Sequence, residues 1–203
     1  MKRLSFAILA AAAFALIIGC STLPPWKPVP TGQSAVYGKI EAKNGLIQFI
    51  AFSDDPGIAA ISIRYTFGRY SPQYGLIVDR PGRDSMKAAL SKYLDWAGLA
   101  AENRVEISKE IATTVLPQML RSGNSWQAEG TRELEFIFVS RFDRSGEQQI
   151  SLVLRSSSFF YGRDQFTLND QQAREFNFLL QDDAVENGYR EAKKKQDTID
   201  MFK

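Results

Sequence analysis

The chain has 203 residues, 44% of them hydrophobic and 24% charged, with 8 Pro, 14 Gly, one Cys and no His, a balance that excludes a disordered, collagenous or disulfide-framework protein. The absence of histidine removes Ser-His-Asp triads, Cys-His pairs, His-containing zinc sites and histidine proton shuttles. The only thiol, Cys20, closes a hydrophobic leader, so no intrachain disulfide can form and no cysteine remains in the body of the chain as nucleophile or ligand.

In chain order, Lys2 and Arg3 form a basic start and Leu4 to Ile18 an uncharged apolar run. This is the pattern of a secretory signal, and the run is shorter than the ~20 apolar residues that a spanning helix needs. The run ends in Leu16-Ile17-Ile18-Gly19-Cys20.

Those last residues resemble the lipobox of bacterial lipoproteins: an aliphatic residue three before an obligatory Cys, and a small residue just before it. The resemblance covers about twenty residues and carries no fold for the rest of the chain. It implies cleavage between Gly19 and Cys20, a diacylglyceryl group on the Cys20 thiol, and often a further acyl chain on the new amine. Two or more acyl chains, at ~0.8 kcal/mol per buried CH2, hold a protein stably on a bilayer without spanning it. Ser21 stands where members retained in the inner membrane commonly carry Asp, so in a two-membrane cell the resemblance favours the outer membrane.

Loss of Lys2 and Arg3 with the leader leaves 23 cations against 23 anions, so the mature chain is formally neutral and has no net attraction for nucleic acid. Residues 20–34 then comprise the lipidated Cys and a tether in which Pro24, Pro25, Pro28 and Pro30 are half of all the prolines. Proline-rich chain extends at ~3.1 Å per residue, giving this segment a reach of roughly 40 Å.

Residues 35–203 read as a single α+β domain. Ala35 to Ala42 and Gly45 to Phe52 are β-rich runs joined at an Asn44-Gly45 step that suits a tight hairpin. Asp54-Asp55-Pro56-Gly57 reads as a turn, and Ala59 to Phe67 as a half-buried strand, with Ile61, Ile63, Tyr65 and Phe67 on one face. A short strand at Gly75 to Val78 runs into an Arg80-Pro81-Gly82 turn. A helix is expected from a Ser85 cap to Asn103, with Met86, Ala89, Leu90, Tyr93, Leu94 and Ala97 on its buried stripe.

Val105 to Leu116 reads as strand ended by Pro117, although Ile111, Val115 and Met119 leave a helix open. Glu133 to Phe142 and Gln149 to Ser156 form the clearest hairpin, and apolar residues on both faces of the first strand suggest cover on both sides. Asn169 or Asp170 caps a helix with Gln172 placed for a capping box and Ala173, Phe176 and Leu180 buried. A charged helix follows from about Asp182 to Met201. The expected architecture is α+β, an antiparallel sheet with one helix between strand groups and C-terminal helices.

No GxGxxG, GxSxG, SxxK or CxxC occurs, so no cofactor is implied. Asp54-Asp55 could hold a hard cation but lacks the surrounding ligand ladder. Asp143, Glu147, Asp164 and Asp170 leave room for a hydrolase with paired carboxylates, since such chemistry does not need histidine. The richest binding patch is Arg64 to Tyr74, where Arg64, Arg69, Tyr70 and Tyr74 are expected to be exposed and to suit a glycan, an anionic sugar or a protein surface. Phe159-Phe160-Tyr161 reads as a strand end, and Lys193-Lys194-Lys195 as a solvated face or a contact with anionic lipid or cell-wall polymer. These readings converge on a lipid-anchored envelope protein, a non-catalytic binding or accessory module for an envelope protein or cell-wall component, with an envelope hydrolase as the alternative.

Overall fold

A computed structural model describes residues 30–65, 74–122, 125–158 and 162–202. Eight strands and three helices follow one another as β1 (Ser34–Ala42), β2 (Gly45–Phe52), β3 (Asp55–Tyr65), β4 (Tyr74–Val78), α1 (Arg80–Asn103), β5 (Ile107–Ser122), β6 (Ser125–Phe142), β7 (Gln148–Ser158), β8 (Gly162–Leu168), α2 (Asp170–Leu179) and α3 (Asp182–Asp200). The strands make one sheet in which spatial order equals chain order and every neighbouring pair is antiparallel. The chain is therefore α+β, and the sheet is a simple meander.

The sheet curls until its two edges touch. Asn44 Nδ2, in the β1–β2 turn, donates to the Gln165 carbonyl of β8 at 3.3 Å, and Gln172 Nε2 of α2 donates to the Glu41 carbonyl of β1 at 2.6 Å. Inside the curve lies the main core. Ile47 and Phe49 of β2, Leu76 and Val78 of β4, Phe136 and Phe138 of β6 and Leu152 and Leu154 of β7 meet Met86, Leu90 and Tyr93 of α1 and Phe176 of α2. Edge-on ring contacts tie the layers, Phe49 to Phe176 at 5.0 Å between centroids and Trp96 to Phe138 at 5.8 Å.

Cover on the two faces is distributed differently from the sequence expectation. On β6, Leu134, Phe136 and Phe138 are buried, but Ile137 and Val139 are only half-buried, so this strand is covered on one side. On β3 the reverse holds: Ile61 joins the main core while Ile58 and Ala60 join Ile50, Phe52, Ile77 and Met119 in a second cluster on the opposite face, against which Trp126 packs. Alternating apolar residues report that a face can be buried, and the curl decides which face is.

Element boundaries also move: β3 begins at Asp55, inside the expected Asp54 to Gly57 turn, and β6 begins at Ser125, eight residues before the expected Glu133. Helix α1 begins at Arg80, with Asp79 as the cap accepting from the Gly82 N–H; Pro81 stands in the first turn, where its missing N–H costs nothing. Ser85, the expected cap, instead pairs its hydroxyl with that of Thr114 on β5 at 3.0 Å. Strand β5 continues through Pro117 to Ser122, because the register shifts between Pro117 and Met119 and a bulge tolerates the absent donor. Strand β8 is absent from the sequence reading, and it buries Phe166 and Leu168. At α2 the capping box is present as read, with Asn169 Oδ1 accepting from the Gln172 N–H at 2.8 Å and Gln172 Oε1 accepting from the Asn169 N–H at 2.9 Å.

One charged side chain ties three elements together. Arg83 of α1 is 3% exposed; its Nη1 donates to the Gly57 carbonyl of β3 at 2.6 Å, and its Nη2 donates to Asp182 Oδ1 at the start of α3 at 2.9 Å. That hydrogen bond holds the Asp182 carboxyl below the usual carboxylate range. A carboxylate depressed in the folded state stabilises above its unfolded pKa and ceases to do so as pH falls through the folded value. Urea midpoints of the wild type should therefore drop when pH is lowered from 6 to below about 4, and Asp182→Asn should show a shallower drop over the same interval.

Helix α3 approaches the sheet through a glycine. A Cβ on Gly188 would lie 2.5 Å from Tyr37 Cδ1 and 3.0 Å from the Ala51 Cβ, whereas one on Gly98 would meet nothing within 4 Å. Alanine gains roughly 1 kcal/mol of helix propensity at either position, and the overpacking at Gly188 costs about 1–3 kcal/mol. Chemical denaturation should find Gly98→Ala more stable than wild type by about 1 kcal/mol and Gly188→Ala less stable.

Candidate partner-binding end

An antiparallel meander sends its connections alternately to its two ends. The chain enters β1 at the end that carries the β2–β3 turn, and it is fixed there. The Ser53 N–H donates to the Gln33 carbonyl at 2.8 Å, and the Thr31 and Gly32 N–H groups donate to Asp54 Oδ2 at 2.7 and 2.9 Å. Asp54 thus holds the incoming segment, and its neighbour Asp55 accepts from the Gly57 N–H at 2.8 Å. The β1–β2, β3–β4, β5–β6 and β7–β8 connections all leave from the other end.

The Arg64 to Tyr74 segment belongs to that other end. Arg64 pairs through its backbone with Leu46 of β2, and Tyr74 opens β4 opposite Ile63 and Leu120. Arg69 and Tyr70 lie outside the described residues, as do Gly19, Cys20 and Phe159 to Tyr161. Tyr74 departs from the expectation of exposure. It is half-buried, with the Arg132 guanidinium of β6 4.8 Å from its ring centroid.

Arg132 heads a polar chain that no sequence motif announces. It is 6% exposed, its Nε donates to Gln118 Oε1 of β5 at 3.0 Å, and Gln118 Nε2 donates to Glu129 Oε2 at 3.1 Å. The register opposes Arg132 to Leu116, two residues before Leu134, so the guanidinium shares the sheet face of the main core. A second arginine–aromatic pair stands near the tip of the β5–β6 hairpin, where Arg121 lies 6.0 Å from the ring centroid of its cross-strand partner Trp126. Two cation–π pairs on three strands therefore sit at the end from which the Arg64 to Tyr74 connection departs.

Two of the carboxylates considered for hydrolysis, Asp143 and Asp170, serve a turn and a helix end. Asp143 Oδ1 accepts from the Ser145 hydroxyl and from the Ser145 and Glu147 N–H groups, which hold its carboxyl below the usual range, and this places Glu147 in the same β6–β7 turn. Asp170 Oδ2 pairs with Arg174 one turn along α2. Asp164 opposes Ser156 through its backbone. Among the described residues no three His, Cys, Asp or Glu side chains gather as a metal-ligand set, and no helix is long and apolar enough to cross a membrane.

No family model, curated protein or solved structure matches the chain.

Since the Tyr74 ring is held between sheet and guanidinium, Tyr74→Ala should destabilise the domain by about 2 kcal/mol through lost apolar burial and the lost cation–π contact. Tyr74→Phe keeps both ring contacts and should lose less than half as much in urea denaturation.

Proposed function

We propose that the chain is a bacterial envelope lipoprotein, anchored through acylated Cys20 after cleavage at Gly19, whose α+β domain is a non-catalytic binding or accessory module. The observation that carries the reading is the opposition of the two ends. The proline-rich segment arrives at Asp54 and Ser53, while the connection bearing Arg64, Arg69, Tyr70 and Tyr74 leaves from the far end, beside the Arg132–Tyr74 and Arg121–Trp126 pairs. A lipid at Cys20 would then set the arginine- and tyrosine-rich end toward the aqueous space. Arginine forks and rigid aromatic area are the side chains most often found at interface hot spots. The partner is an envelope protein or a cell-wall component, no cofactor is needed, and the outer membrane is the favoured location in a two-membrane cell.

The anchor is tested by mass spectrometry of the mature N-terminus, which should show acylated Cys20, and Cys20→Ser should accumulate as unlipidated precursor. A free thiol or cleavage elsewhere would refute it. The binding end is tested by replacing Arg69 and Tyr70 together with Ala. Crosslinked partner yield in cells should fall as for a loss of about 2 kcal/mol, close to thirtyfold in affinity, with the melting temperature nearly unchanged. A double variant that unfolds would place these residues in the core and remove the site.

A further inference from the structure

Helix α3 starts beside the first residues of β3, where Arg83 joins Asp182 to the Gly57 carbonyl, passes Ala51 of β2 and Tyr37 of β1 at Gly188, and reaches the start of β1 at Lys195, whose Nζ donates to the Ser34 carbonyl at 3.3 Å. From Lys195 the helix continues five residues, about 8 Å, to Asp200, so its last turn lies near Ser34, next to the residues where the incoming segment is fixed by Ser53 and Asp54. Its last residues are apolar and uncovered, Met201 at 80% and Phe202 at 86% exposure, with Ile199 at 37%. Met201 lines a shallow depression with Tyr189, Arg190, Lys193 and Lys194.

We propose that this end of α3 rests on the phospholipid bilayer, Met201 and Phe202 entering the boundary between headgroups and acyl chains. The proposal deepens the lipid-anchor reading and rests on it. The occupant follows from position: the incoming segment and the exposed apolar tip lie at one end of the domain, so a lipid at Cys20 brings that end to a membrane. The charge pattern defines the kind of contact. Arg190 pairs with Glu186 and Lys193 with Asp197, which leaves Lys194 and Lys195, the latter bonded only to the neutral Ser34 carbonyl, as the main attraction for anionic headgroups. Apolar insertion therefore dominates, and dependence on salt and on anionic lipid is shallow.

The test uses lipidated full-length protein in phosphatidylethanolamine and phosphatidylglycerol vesicles. Acylation occupies Cys20, so Met201→Cys supplies the only free thiol for an environment-sensitive fluorophore. Lys43→Cys, exposed in the β1–β2 turn at the opposite end, supplies the reference. Headgroup-labelled quencher lipid should quench the label at 201 about threefold or more above the label at 43. Equal quenching at both sites, or none at 201 in protein that floats with the vesicles, overturns the proposal while leaving the anchor standing. Failure to float refutes the anchor reading, and the proposal falls with it.

Discussion

Every strand of an antiparallel sheet points half its side chains to each face, and eight such strands in a meander create one large concave surface that must be shielded from water. The described helices that provide the shield come from two places in the chain, α1 between β4 and β5, and α2 with α3 after β8. They share no backbone, so something must lock one group to the other. Arg83 spans that seam from α1 to the start of α3 and to the first residues of β3. Burying a guanidinium costs several kcal/mol unless its donors are occupied, so a clamp of this kind contributes geometry more than net stability. It fixes where α3 starts, and the glycine contact at Gly188 fixes how closely that helix lies on β1 and β2.

Features written within a few residues of sequence are the ones that could be read in advance. The Asn169 and Gln172 box is a local exchange of hydrogen bonds, and Asn44-Gly45 is a local turn preference; in both, the distant bonds to Glu41 and Gln165 use the amide nitrogens and leave the local pattern intact. The start of α1 was less legible because Pro81-Gly82 serves equally as a turn and as a helix first turn. What separates the two is the Asp79 cap, whose carboxylate accepts from the Gly82 N–H and opens the helix at Arg80. That signal is local, but it is shared with a turn, since an Asp before Pro-Gly suits both. Strand β8 was missed for a related reason, since its polar opening, Gly162-Arg163-Asp164-Gln165, shows apolar alternation only at Phe166 and Leu168.

The arginine–aromatic end shows the same limit at the level of the site. Arg64 to Tyr74 could be singled out because its residues are contiguous. Arg132, Gln118 and Glu129 could not, because their contact depends on a register that shifts beside Pro117, and a one-residue change in register sends a side chain to the other face. The same geometry explains why Tyr74 is not free to serve as a simple exposed anchor: Arg132 already covers its ring.

A tether sets a maximum distance and not a distance, and this decides how the two ends of the domain can act together. Ten residues separate Cys20 from Pro30, a span of about 30 Å when fully extended as polyproline II and less when bent along a surface. Over that range a short linker gives an effective concentration in the millimolar region, so under the proposed anchoring an apolar tip with weak intrinsic affinity for lipid would remain engaged much of the time. Under the same proposal, engagement of the α3 end leaves the opposite end free, because the length of the sheet separates the two ends. Under the proposed anchoring, the membrane orients the domain through two contacts, the lipid and the helix tip. Such orientation reduces the rotational freedom a partner must remove at the far end, which strengthens capture without adding a single contact to that interface.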